Sequence, residues 1–79
     1  MKLPRDLSGA ALAKLLCKHF DYRQVNQEDS HMILQTDVPR SHRLSVPAHP
    51  VLRPGTLNAI LRAVAEAKTV AKEDILRHL

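Results

Sequence analysis

Glu28-Asp29-Ser30-His31-Met32-Ile33-Leu34-Gln35 reads as a polar turn that runs directly into a short apolar strand. Glu28, Asp29 and Ser30 are turn formers, and Met32, Ile33 and Leu34 suit a strand, so His31 stands where the turn ends. Side chains alternate along a strand. Met32 and Leu34 therefore share one face, and His31, Ile33 and Gln35 share the other. If helices cover the Met32 and Leu34 face, His31 points away from the core. A side chain at a strand end is held by a rigid scaffold and stays open to solvent, which suits chemistry. On spacing alone, however, a lone imidazole is more often structural or incidental than catalytic.

Upstream of the turn, Tyr22 to Gln27 alternates weakly, with Val25 its clearest apolar residue, and reads as an edge-like strand folded back by the turn into a hairpin. Before it, Ser8 reads as the N-cap of an amphipathic helix that places Leu12, Leu15, Leu16 and His19 at helical spacing. Lys14 and Lys18 lie four apart on another side, either as a solvated face or as a ridge that contacts phosphates. Cys17, mid-helix, reads as a small core filler, and His19 as a last-turn residue favoured by the helix dipole. Asp21 ends the helix without a glycine, and aspartate tolerates a left-handed backbone better than most residues.

Downstream, Thr36 to His42 is a loop and His42 to Pro47 a third strand, with Leu44 and Val46 facing the core and Arg43 and Ser45 on the side shared with His31. An arginine on the face of a histidine suits phosphate chemistry, and it suits a solvated sheet equally well. Three prolines between Pro47 and Pro54 make a rigid crossover, in which His49 most simply acts as a hydrogen-bonding brace. Gly55 and Thr56 open a second helix with Leu57, Ile60, Leu61 and Val64 as its buried stripe. Lys72 to Leu79 reads as a short terminal helix docked by Ile75, Leu76 and Leu79.

The 79 residues suit one small domain spanning 1–79, with no large catalytic cavity. A formal charge of +4 favours a polyanionic partner such as nucleic acid, or an acidic protein. One cysteine permits no internal disulfide, and no run is apolar enough for a secretory leader or a membrane span, so the chain reads as cytoplasmic, with no membrane partner. The five histidines show no close pair at helical ligand spacing, and the two glycines make no phosphate loop; neither a metal site nor a cofactor is expected. Ser30 and His31 are adjacent in a strand and point to opposite faces, which disfavours a nucleophile–base pair. With Phe20 and Tyr22 the only aromatic residues of the Phe, Tyr and Trp class, nucleic-acid contact would lean on Lys, Arg and shape.

The stretch Val46-Pro47-Ala48-His49-Pro50-Val51-Leu52-Arg53-Pro54-Gly55-Thr56-Leu57-Asn58-Ala59-Ile60-Leu61 closely resembles the signature of HicA-type toxins, the YcfA-like family. Ser8-Gly9 before a Leu-rich helix, and Ser30-His31 opening the second strand, fall in the same order, and the resemblance covers roughly Leu3 to Ala67. It implies an α+β, double-stranded-RNA-binding-domain-like fold: helix-strand-strand-strand-helix, both helices on one face of a three-stranded antiparallel sheet, plus a short C-terminal helix. It also implies a ribonuclease that cuts mRNA and a HicB-type antitoxin that neutralises it; with no metal-ligand pattern in the sequence the reaction reads as metal-independent, and the chain is expected to be a monomer when free of that antitoxin. The histidine of the family's Gly-Ser-His motif maps to His31 as the catalytic residue. Asp29 replaces the motif's glycine, and Asp21 a glycine common after the first helix. Arg43, Lys14, Lys18, Arg23 and Ser30 are the expected RNA contacts. Two further readings are a non-catalytic RNA-binding module of the same fold and an inactivated toxin that acts through protein interaction.

Overall fold

The structure, a computed structural model, describes residues 3–79. Its elements run α1 (Gly9–His19), β1 (Arg23–Glu28), β2 (His31–Thr36), β3 (His42–Pro47), α2 (Pro54–Lys68) and α3 (Lys72–Leu76). The strands form an antiparallel sheet in the order β1-β2-β3, which makes the strand that begins at His31 the central one. This is the expected α+β arrangement, consistent with the double-stranded-RNA-binding-domain-like fold.

Local chemistry sets the ends of the elements. The Ser8 hydroxyl accepts the Ala11 N–H at 3.0 Å and caps α1. Pro54 occupies the first turn of α2, where its missing N–H costs nothing. Asp21, Asp29 and Thr69 take positive φ of 58°, 55° and 56°, and each lies where the chain leaves a helix or turns a hairpin. At Asp21 and Asp29, aspartate does the work for which glycine is the usual choice.

Alternation fixes which side of the sheet is inside. Met32, Leu34 and Thr36 of β2 are buried, whereas His31 is exposed and Ile33 and Gln35 are half-buried. Val46 of β3 is buried with them, and Arg43 and Ser45 are exposed. Leu12, Leu15 and Leu16 of α1 and Leu57, Ile60, Leu61 and Val64 of α2 cover that inner face. Each fully buried leucine contributes roughly 1.5–3 kcal/mol. β1 is exposed along its whole length and carries a bulge between Gln24 and Asn26, both features that blunt an open edge.

Two core assignments need correction. Cys17 is exposed, because the α1 stripe that meets the sheet passes through Leu12, Leu15 and Leu16 and leaves position 17 outside. Leu79 is half exposed; α3 stops at Leu76 and docks through Ile75, with Leu76 packed beside it.

Candidate active site

Three chain segments converge where β2 begins. His31 pairs with Glu28 of β1 on one side and with Pro47 of β3 on the other, all three on the outer, uncovered face of the sheet. The turn before it is closed by Asp29 and Ser30, and the Ser30 carbonyl accepts the Ala48 N–H at 2.6 Å. The Gly9 N–H at the start of α1 donates in turn to the His49 carbonyl at 3.0 Å. His31 is thus exposed, yet its backbone is clamped on both sides. His49 braces the crossover through its main chain, which leaves the imidazole outside that role. The Ser30–Ala48 bond keeps the Cα atoms of His31 and His49 within ~11 Å on standard backbone dimensions.

The clamp depends on Gly9. A Cβ there would overlap the Pro47 carbonyl oxygen, lie 2.8 Å from its carbon and 3.2 Å from the Ala48 Cα. Two contacts of this cluster were not legible in the sequence. Glu28 stands directly opposite His31, where cross-strand Cβ atoms are ~5 Å apart; only the two-residue hairpin register reveals it. Gly9 is a lone glycine in sequence, and its neighbours come from beyond the third strand.

The four basic residues expected to contact RNA do not gather around His31. Arg43 shares its face, but it pairs with Gln35, four residues along β2 and so ~13 Å away, and its Nε donates to the Gln35 Oε1 at 2.9 Å. Gln35 passes the chain on to the Ser41 hydroxyl at 3.1 Å. Arg23, across β1 in the same row, pairs with Asp37 at 2.9 Å. Arg43 and His31 therefore share a face of the sheet without sitting side by side. Lys14 and Lys18 are exposed on α1, which covers the inner face of the sheet, and so lie in the opposite layer from His31.

The remaining histidines are brought into pairs that spacing did not reveal. The Tyr22 hydroxyl lies 2.7 Å from His42 Nδ1, and burial pushes the phenol up to about 12, so it stays protonated. Lys68 bonds the Thr36 hydroxyl at 2.7 Å and the Val38 carbonyl and lies over the Tyr22 ring, tying α2 to the sheet end far from His31. His19 stacks on His78 with ring centroids 4.0 Å apart. The Cys17 thiol is raised by partial burial, against a Gln24 backbone hydrogen bond that lowers it, so it is no thiolate nucleophile at neutral pH. Among the described residues, no three His, Cys, Asp or Glu side chains come together as a metal cluster, and no helix is long and apolar enough to cross a membrane.

The His19–His78 stack has a pH consequence. His19 is lowered from its ordinary value, first by desolvation against its neighbours and then by the like charges of His78 and Lys18. Between that lowered value and the ordinary ~6.5, the opened chain binds more protons than the closed one, so closure weakens as pH falls through that window. The His78 and Leu79 amides, which donate to Ile75 and Leu76, should show smaller hydrogen-exchange protection factors at pH 5.5 than at 7.5. Equal protection at both would contradict this account of the stack.

Comparison with known proteins adds one match. The family described as HicA toxin of bacterial toxin–antitoxin systems matches residues 9–65, which run from the glycine of the clamp through nearly all of α2. No curated protein and no solved structure matches the chain. The matched span is well over half of the sequence and contains β1, β2, β3 and the convergence around His31, and the chain therefore belongs to the HicA toxin family.

Proposed function

We propose that this protein is the toxin of a type II toxin–antitoxin pair and acts in the cytoplasm as a metal-independent endoribonuclease on mRNA, with His31 as its proton-transfer group. The observation that carries the reading is the position of His31: exposed on the outer face at the start of the central strand, with its backbone clamped by the Ser30–Ala48 bond. Histidine ordinarily titrates near ~6.5, and so exchanges protons at neutral pH. His31 removes the proton of an RNA 2′-hydroxyl, the 2′-oxygen attacks the adjacent phosphorus in line, and the bond to the 5′-oxygen breaks as that oxygen takes a proton from solvent, to which the imidazolium afterwards returns its own. The products are a 2′,3′-cyclic phosphate and a 5′-hydroxyl.

The strand of RNA runs across the outer face, with Ser30 beside the reacting phosphate and Arg23 and Arg43 holding a phosphate further along. Those two guanidiniums act in binding rather than in transition-state stabilisation, since their row is ~13 Å from His31. Lys14 and Lys18 lie off this path. A HicB-type antitoxin silences the enzyme. The direct test incubates the purified protein, with a chelator present, with an RNA oligonucleotide and with DNA of the same sequence. RNA alone should be cut; cleavage of DNA, or of neither, contradicts the proposal.

One observation favours the alternative of an inactivated toxin that acts through protein interaction: the Glu28 and Asp29 carboxylates adjoin His31 and repel a phosphate backbone. Asp29→Gly separates the two. The substitution relieves a positive φ, worth roughly 1 kcal/mol, and adds unfolded-chain entropy of similar size, so the melting temperature should move by no more than a few degrees. RNA affinity and cleavage should both rise several-fold. Unchanged cleavage would mean that the Asp29 charge does not limit the enzyme.

A further inference from the structure

A groove of about 390 Å³ runs along α1 from Leu7 to His78 and Leu79. Leu7, Leu15 and Leu79 supply its apolar surface, Lys14 and Lys18 its rim, and His78 closes one end. The volume lies in the range of sites that seat ligand groups. The residues around it make a consistent electrostatic pattern. α1 contains no aspartate or glutamate, and Lys14 and Lys18 follow each other by one helical turn. The ion pairs among the described residues are Arg23–Asp37 and Arg77–Asp74, so neither α1 lysine is neutralised by a carboxylate. Leu79 is half exposed beside them.

We propose that this groove is the docking site for an acidic amphipathic segment of a protein partner, one that lays apolar side chains at helical spacing between the lysines and sets carboxylates against them. The inference rests on the family's having a protein partner and is independent of RNA cleavage. Charge complementarity selects the sign of the partner: two uncompensated ammonium groups over an apolar floor reward Asp and Glu flanking Leu-like residues, the helix-in-groove mode of recognition. The same floor disfavours RNA, which needs a cationic track and aromatic faces for its bases. The nearby imidazoles of His19 and His78 are already stacked on each other, with the edge of Phe20 against His78.

Placement gives the groove a consequence. α1 is 11 residues, ~16 Å, long, and its first residue is bonded to His49 beside the Ser30–His31 turn. A segment seated from Leu79 towards Leu7 therefore ends next to the His31 convergence, and whatever follows it in the partner is delivered there. Docking on the helical layer would thus tether a cover for the opposite layer without competing for the His31 surface itself.

The probes are a synthetic peptide of about 12 residues with Leu at helical spacing flanked by Glu, its counterpart with Lys in place of Glu, and a short RNA oligonucleotide. Each is titrated into the full chain at physiological salt and followed through the amide signals of Leu7, Lys14, Lys18 and Leu79 and by fluorescence anisotropy. The acidic peptide should move those signals, and the basic one should not. The double variant Lys14→Glu/Lys18→Glu should lose at least ~10-fold in affinity for the acidic peptide and gain affinity for the basic one, a reversal that misfolding does not produce. Leu79→Ser should weaken the acidic peptide several-fold while keeping the sign preference. Absence of peptide binding, equal binding of both peptides, or movement of the same signals by RNA instead would overturn the proposal. The readout requires no RNA cleavage, so a chain that fails to cut RNA still tests the groove, and one that cuts RNA but ignores the acidic peptide overturns the groove alone.

Discussion

His31→Ala should lower the rate of RNA cleavage by about 10²–10⁴-fold, which corresponds to roughly 3–5 kcal/mol of transition-state stabilisation. The size follows from what is removed. In the proposed reaction the imidazole is the group that handles the proton of the attacking hydroxyl, and Arg43, two same-face positions away, is too distant to compensate on the same phosphate. The fold should not register the change. His31 is exposed, its side chain contributes nothing to the inner-face core, and its backbone clamp is made by neighbouring residues. A melting temperature within a few degrees of the parent and an unchanged RNA affinity are therefore expected together with the lost rate. A rate within a few-fold of the parent would remove His31 from the mechanism. Lost affinity with an unchanged rate at saturation would make it a binding residue.

Gly9→Ala should be strongly destabilising. The new Cβ overlaps the Pro47 carbonyl oxygen and approaches the Ala48 Cα, and all of these neighbours are main chain that cannot rotate aside. Relief requires α1 and the crossover to separate, which strains packing by roughly 1–3 kcal/mol and weakens the Gly9–His49 hydrogen bond, worth about 1 kcal/mol more. For a domain of this size a loss near 3 kcal/mol lowers the melting temperature by roughly 10–25 °C. Cleavage should fall as well, at temperatures where the variant is still folded, because the displaced segment carries the Ala48 N–H that fixes Ser30. A melting temperature within about 2 °C of the parent would show that the close approach is not required. Gly55 is the internal comparison: a Cβ there meets nothing within 4 Å.

The sequence made the architecture legible because its signals were local. Period-two alternation from His31 to Gln35 assigned the inner and outer faces of the central strand, and the buried Met32 and Leu34 with the exposed His31 follow that assignment. Ser8 and the two aspartates at turn positions marked element ends through backbone chemistry that each residue carries by itself, whereas Pro54, read as the end of the crossover, is the first residue of α2. What stayed hidden depended on distance along the fold. Arg43 was placed on the right face, but its separation from His31 follows from the strand register, in which it pairs with Gln35. The Glu28–His31 pairing follows from the exact hairpin register, and the Gly9–Pro47 contact and the stacking of His19 on His78 each join segments that only tertiary structure brings together. Cys17 misled for a related reason: an apolar residue inside a helix is buried only if the stripe passes through it, and here the stripe runs beside it.

The central claim, an attack by the RNA's own 2′-hydroxyl with His31 moving the proton, is tested most directly by the ends of the products. RNA cut by the purified protein in the presence of a chelator should carry 2′,3′-cyclic phosphate on the upstream fragment and 5′-hydroxyl on the downstream one. Fragments with 3′-hydroxyl and 5′-phosphate ends would show that water rather than the 2′-oxygen is the nucleophile, and would contradict the mechanism built on His31.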